Sequence, residues 1–210
     1  MDTMKEVKLD RKKRYTRMVL QDSLIELMKE KPISKITIKE LCEHADINRT
    51  TFYAHYTDQY DLLRKIEDET LAWAKEMLTT LQGKTDKQEA LQVLEEVFHY
   101  FVQNSSHLQV LMSEQGDIHF QKQLFTLIYQ ESGINVSAEQ NGNMDKLESY
   151  FIFIVTGSVG LIQHWLKHGL NQSAKEMAEI IYTMTSQFFG VKLSERLSDI
   201  DESTTSPSKN

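Results

Sequence analysis

The chain has 210 residues, 40% hydrophobic and 26% charged, with eight glycines, two prolines and one cysteine. So few turn residues exclude a sheet-rich fold and favour long helices, and one cysteine excludes a disulfide framework or a cysteine-rich metal site. The net charge of −7 is uneven: residues 1–56 carry 12 Lys and Arg against 9 Asp and Glu, and residues 57–210 carry 12 against 22, so only the front of the chain suits a polyanion.

Residues 1–10 mix charges without a period and are expected to fray, so the first helix is expected from Arg11 to Lys29, with Met18, Leu20, Leu24, Leu27 and Met28 near helical spacing. Lys31-Pro32 stops it, because proline cannot extend the backbone ladder. Thr37-Ile-Lys-Glu40 is a capping box that opens a short helix over Ile38–Ala45. Asp46-Ile47-Asn48 makes a tight turn, and Asn48 caps a second short helix over Arg49–Tyr56. Thr57-Asp58 caps a longer helix from Gln59 to about Leu81.

Gln82 to Asp86 breaks the pattern, and further helices are expected near 87–104, 106–114, 117–132, 144–169 and 173–190. Ser137–Asn143 reads as a polar loop, and 198–210 as a disordered end rich in Ser, Thr and Asp. The expected organisation is all-α: a helix-turn-helix domain over 11–58, a connecting helix over 59–81, a helical regulatory and dimerisation domain over 82–192, and a tail over 193–210. The apolar stretch from Tyr150 to Trp165 is interrupted by Thr156, Ser158, Gln163 and His164, and reads as a buried helix rather than a membrane span. With no signal-peptide pattern at the start and one cysteine, a cytoplasmic protein without a membrane partner is expected.

The informative segment is Thr37–Tyr56, TIKELCEHADINRTTFYAHY. Two short helices joined by a tight turn form a helix-turn-helix. Ile38, Leu41, Cys42, Ala45, Ile47, Phe52 and Tyr56 are placed to pack inward, which leaves Arg49, Thr50, Thr51, Tyr53 and His55 to project from the second helix. Hydroxyls and imidazole can bond base edges, threonine methyls can touch thymine methyls, and arginine can fork onto guanine or phosphate. The bland alternative is a three-helix bundle whose polar residues face water. Just ahead lies Arg11-Lys-Lys-Arg-Tyr-Thr-Arg17, where Arg14 and Arg17 are expected on phosphates; the competing reading is a solvated helix start.

These residues resemble the tetracycline-repressor (TetR) family over about 12–65: Thr37-x-x-Glu-Leu, the turn residue Ile47, Thr51-Phe-Tyr-x-His-Tyr and Asp61-Leu-Leu fall at the family spacing. The resemblance implies a phosphate contact at Thr37, base or backbone contacts from Arg49, Thr50, Thr51, Tyr53 and His55, and core positions at Phe52 and Tyr56. Three departures stand out: Gln59 where the family most often has a phosphate-binding lysine, Asp46 at a turn position more often glycine, and Cys42 in place of a small alanine. Aspartate tolerates the left-handed backbone of such a turn, and Cys42 reads as packing.

The C-terminal half resembles the family in its closing pair of helices. Ile152, Val155, Val159, Ile162 and Leu166 mark a face of the first; Met177, Ile180, Ile181, Met184 and Phe188 mark a face of the second. Gly157-Ser-Val-Gly160 permits close helix approach, and Gly160-Leu-Ile-x-x-Trp-Leu with Gly169 resembles the subgroup tied to dihydroxyacetone-kinase control. An intramolecular core fits these helices equally well. An aromatic and methionine set including Phe98, Phe101, Met112, His119 and Trp165 can line an effector pocket or be plain core. The histidines lack metal-ligand spacing, His164 and His168 being four apart with no third ligand, so no metal or cofactor is expected. No nucleophile–base or carboxylate pair stands at a catalytic spacing, so no enzyme is expected.

The resulting expectation is a homodimeric DNA-binding transcriptional repressor on an operator with two half-sites, tuned by a small-molecule or protein effector in its C-terminal domain. The alternative is a helical coactivator or adaptor that acts through a protein partner on the same fold.

Overall fold

The structure, a computed structural model, describes residues 2–84, 86–131 and 146–186, with side chains from residue 11 in the first stretch and from 149 in the last. Among the described residues every regular element is helical: α1 (Asp2–Glu30), α2 (Ile38–His44), α3 (Arg49–Tyr53), α4 (Gln59–Gln82), α5 (Lys87–Gln103), α6 (Ser105–Leu111), α7 (Ile118–Glu131), α8 (Lys146–Lys167) and α9 (174–186), with a 3-10 turn at Ile33–Lys35. The loop expected at Ser137–Asn143, Phe188 and the tail lie outside the described residues.

Two expectations fail in α1. It begins at Asp2, because residues 2–10 contain neither proline nor glycine and are mostly good helix formers. Met18 is 49% exposed. The buried stripe runs through Thr16, Leu20, Ser23, Leu24 and Leu27, and Met18 sits about 200° around the helix from Leu20.

The described residues form two compact units: one from residues up to Glu76 with Asn104–Leu127, the other from Met77–Gln103 with the described residues from Ile128 onward. In the first, Leu20, Leu24, Ile25 and Met28 of α1 share a core with Leu41, Phe52, Leu62 and Ile66, and with Val110, Leu111 and Phe120. Removing these side chains from water is the main force holding the small helices in place. A polar seam lies alongside: His107 Nε2 of α6 is 3.4 Å from Asp22 Oδ1, and Ser106 Oγ donates to Glu26 Oε1 at 3.1 Å.

In the second unit Phe98 of α5 meets Trp165 of α8 edge to face, their ring centroids 5.5 Å apart. Trp165 Nε1 donates to Gln172 O at 3.0 Å, so the indole packs without orphaning its N–H. Gly169 (φ +88°) and Leu170 (φ +56°) end α8 in left-handed backbone. A reciprocal capping box starts α9: Ser173 N donates to Glu176 Oε2 at 2.7 Å, and Glu176 N to Ser173 Oγ at 3.2 Å.

The expectation of a buried α8 is not met among the described residues. Ser149–Lys167 has a mean hydropathy of 1.3, long and apolar enough by composition to cross a membrane, yet only 17% of it is buried. Leu166 is buried, but Ile152 is 44% and Phe153 77% exposed. On α9, Met177 and Ile181 are buried while Met184 is 56% exposed. A Cβ added at Gly157 or Gly160 meets nothing within 4 Å, so no helix among the described residues uses the close approach those glycines allow.

Candidate nucleic-acid interface

The helix-turn-helix is built by local hydrogen bonds that the sequence spells out. Thr37 Oγ1 accepts from Glu40 N at 3.2 Å and starts α2. The Glu40 carboxylate pairs with Lys31 Nζ, and this contact holds its pKa below the usual value. At the end of α2, Ile47 N donates to Cys42 O at 2.9 Å, and Asp46 takes φ +51°. That closes the helix with a left-handed residue, as the turn requires. Asn48 Oδ1 then accepts from Thr51 N at 2.7 Å and caps α3.

α3 is shorter than the sequence pattern suggests, ending at Tyr53 instead of Tyr56. His55 N and Tyr56 N both donate to Phe52 O at 2.9 Å, which tightens the chain into a turn and carries Tyr56 into the core. Phe52 is the buried residue of α3; its ring lies 5.5 Å from Tyr53 and 5.9 Å from Tyr56. Asp58 Oδ1 accepts from Asp61 N at 2.7 Å while Asp61 Oδ2 accepts from Thr57 N at 3.0 Å, fixing the start of α4 directly after the motif.

Each side chain singled out from the sequence has a definite setting. Arg49, Thr50 and Tyr53 are exposed, Tyr53 by 57%; Thr51 and His55 are half-buried. Thr37, Arg14 and Arg17 are exposed. Burial lowers the His55 pKa, and the charges of Arg17 and Lys13 lower it further. The basic segment of α1 therefore acts on the turn that follows α3, and Lys13 joins the set although no sequence pattern set it apart from its neighbours. An open hollow beside the entering end of α3 is lined by Lys39, Cys42, Glu43, Asp46, Ile47, Asn48 and Arg49. Burial raises the Cys42 thiol pKa, consistent with a packing role.

The aromatic set divides. Phe98, Phe101 and Trp165 cluster, with Phe98 and Phe101 rings 5.6 Å apart. Met112 packs against the core of the first unit, and His119 is exposed near the start of α7. His164 and His168 stack with ring centroids 4.0 Å apart, and His168 Nδ1 lies 2.8 Å from His164 O.

The described residues thus form an all-helical arrangement with a capped helix-turn-helix near the front. Comparison with known proteins shows what the chain resembles. Residues 88–187 match the TetR-type family described as "Transcriptional regulator C-terminal region". The chain is 19% identical over 171 residues to the Bacillus subtilis (strain 168) protein YxbF, named an uncharacterized HTH-type transcriptional regulator. That match takes in 80% of this chain but 44% of the relative, so the chain spans less than half of that protein's length. Among solved structures, a TetR transcriptional regulator from Streptococcus agalactiae 2603V is 20% identical with a TM-score of 0.53, covering 85% of this chain and 98% of that one. DhaS, named as a dihydroxyacetone kinase operon activator, is 16% identical with a TM-score of 0.50, covering 82% and 96%. Residues 88–187 are thus similar to the C-terminal region of TetR-type regulators, and the chain shares the fold of the two solved structures.

Proposed function

We propose that the chain is a sequence-specific DNA-binding regulator, a homodimeric repressor whose reading helix is α3. The observation that carries this is α3 itself: a five-residue helix capped by Asn48 and rooted by Phe52, which presents Arg49, Thr50 and Tyr53 outward beside the cations of α1. Thr51 and His55 flank that face. Thr37, Arg14 and Arg17 contact phosphate and set the register, because backbone contacts position while base contacts specify. In this reading residues 11–58 are the DNA-binding domain, 59–81 the connecting helix, 82–192 the regulatory and dimerisation domain, and 193–210 a tail.

The exposed Ile152 and Phe153 of α8 and Met184 of α9 support pairing with a second copy, as do Gly157 and Gly160, open to close approach. Two reading heads would then meet half-sites about 34–36 Å apart. An effector near Phe98, Phe101 and Trp165 would shift the population between spacings. Met112 and His119 complete the pocket only in the sequence-based grouping.

The test is selection of bound sequences from a random DNA pool, followed by footprinting. An inverted repeat protected in a salt-sensitive way is expected, and loss of selectivity in the Thr51→Ala/Tyr53→Ala double variant. Absence of any sequence-selective binding would sink the proposal. A coactivator acting through a protein partner is the second reading, favoured by the acidic balance of residues 57–210 and the uncharged Gln59 at the start of α4. It expects regulation to survive the double substitution.

A further inference from the structure

Glu67 plays no part in the DNA-facing surface, yet it occupies a core position. The buried residues of α4 are Leu62, Leu63, Ile66, Glu67 and Thr70, one stripe at helical spacing. Thr70 satisfies its hydroxyl by donating to Ile66 O at 2.8 Å. Glu67 is only 7% exposed, and its Oε1 has no hydrogen-bond partner among the described residues. A buried carboxyl left unsatisfied is costly, more so when ionised.

Across the seam stands the α6–α7 turn. Leu62, Leu63 and Ile66 share their core with Val110, Leu111 and Phe120 on either side of it. The turn is tightly built: a Cβ at Gly116 would lie 2.2 Å from Leu111 O, and Gln121 Nε2 donates to both Leu111 O (3.1 Å) and Ser113 O (2.9 Å). Asp117, which follows, accepts from His119 N at 2.7 Å, so its carboxylate is tied to the start of α7. The charges acting on Glu67 are Asp117 from the turn and Asp68 from its own helix, opposed by Arg64, which is 3.6 Å from Asp61. α1 contributes Gln21, which bonds Glu69 one position past Asp68, at 3.0 Å. Burial first, then Asp117 and Asp68, push the Glu67 pKa up to about 7.

We propose that Glu67 is a proton-operated latch on the seam between α4 and the α6–α7 turn: neutral, it seats in the apolar stripe, and ionised, it is driven away from Asp117 and loosens α4. The proton leaves to solvent, and no other group changes. A carboxyl whose folded pKa stands above its ordinary value stabilises the fold at acid pH, and that stability is lost as pH rises through about 7. The consequence for DNA rests on the proposed function above: α4 starts at the Asp58–Asp61 cap directly after α3, so a looser α4 presents a less fixed reading helix.

The experiment melts the full chain at pH 5.5 and 8.5 as wild type, Glu67→Gln, Asp117→Asn and the double variant. Glu67→Gln should exceed the wild type at pH 8.5 by at least about 3 °C more than at pH 5.5. Asp117→Asn should recover part of that gain at pH 8.5, and the double variant should gain less than the sum. A Glu67→Gln difference that is the same at both pH values overturns the latch, as does strict additivity with Asp117→Asn. Should Glu67→Gln not fold, the pH dependence of Asp117→Asn alone decides. Affinity for a selected DNA, wild type relative to Glu67→Gln, should fall several-fold from pH 6 to 8.5. If neither protein binds DNA selectively at any pH, the DNA reading fails while the melting result still judges the latch.

Discussion

Phe52→Ala tests whether one side chain roots α3. Phe52 is fully buried and is the buried residue of α3, so truncation removes the anchor and leaves the caps. A phenylalanine withdraws on the order of 200 Å² of apolar surface, about 5 kcal/mol at 25 cal/mol per Å² as an upper bound. Measured truncations of this kind cost about 3–5 kcal/mol, including the cavity left beside Tyr53 and Tyr56. At about 2–4 °C per kcal/mol for a chain of this size, the melting temperature should fall by about 6–20 °C. Phe52→Leu keeps much of the volume and should lose about 1 kcal/mol. Circular dichroism melts give the stability, and fluorescence anisotropy with a selected DNA at 15 °C gives the binding, where the variant is still folded. Binding should drop sharply for alanine and slightly for leucine. A Phe52→Ala melting temperature within about 2 °C of the wild type would refute the anchoring argument.

Asp46→Gly relieves a left-handed aspartate (φ +51°) and should stabilise the first unit by up to about 1 kcal/mol, read as a raised denaturation midpoint. Gly116→Ala forces a methyl into the Leu111 carbonyl, which as backbone cannot swing aside; a loss of about 1–3 kcal/mol in the same assay is expected, and none would mean the turn is looser than drawn. His55 has its pKa lowered by burial and by Arg17 and Lys13, so in the free protein its contribution to stability is lost as pH falls below its ordinary 6.5. Nearby phosphates favour the imidazolium, so DNA affinity should rise from pH 7 to 5.5, and His55→Gln should flatten that rise.

Much of the helix-turn-helix was legible because its determinants are local. Thr37 with Glu40, and Asn48 with Thr51, lie three residues apart, and each pair makes the hydrogen bond its spacing implies. Asp46 was readable as a turn residue that tolerates positive φ. The end of α3 was not, because the pull of Tyr56 into the core competes with helix continuation, and only the packed structure decides that contest. The exposure of Met18 escaped a reading that matched apolar residues to a helix without fixing the face. The Ser173–Glu176 box was available in the sequence as the same Ser-x-x-Glu signal that marks other helix starts.

Composition, scarce glycine and proline, and capping residues at fixed offsets were enough by themselves to determine an all-helical fold and the starts of the two short helices α2 and α3. They could do so because helix formation and capping are settled within four or five residues. Only the tertiary structure decided that Asn104–Leu127 packs into the first unit, and that Glu67 sits buried within reach of Asp117's charge. It also showed that little of α8 is buried among the described residues. Those outcomes depend on contacts between residues distant in sequence, and periodicity along one helix carries no information about what lies opposite it.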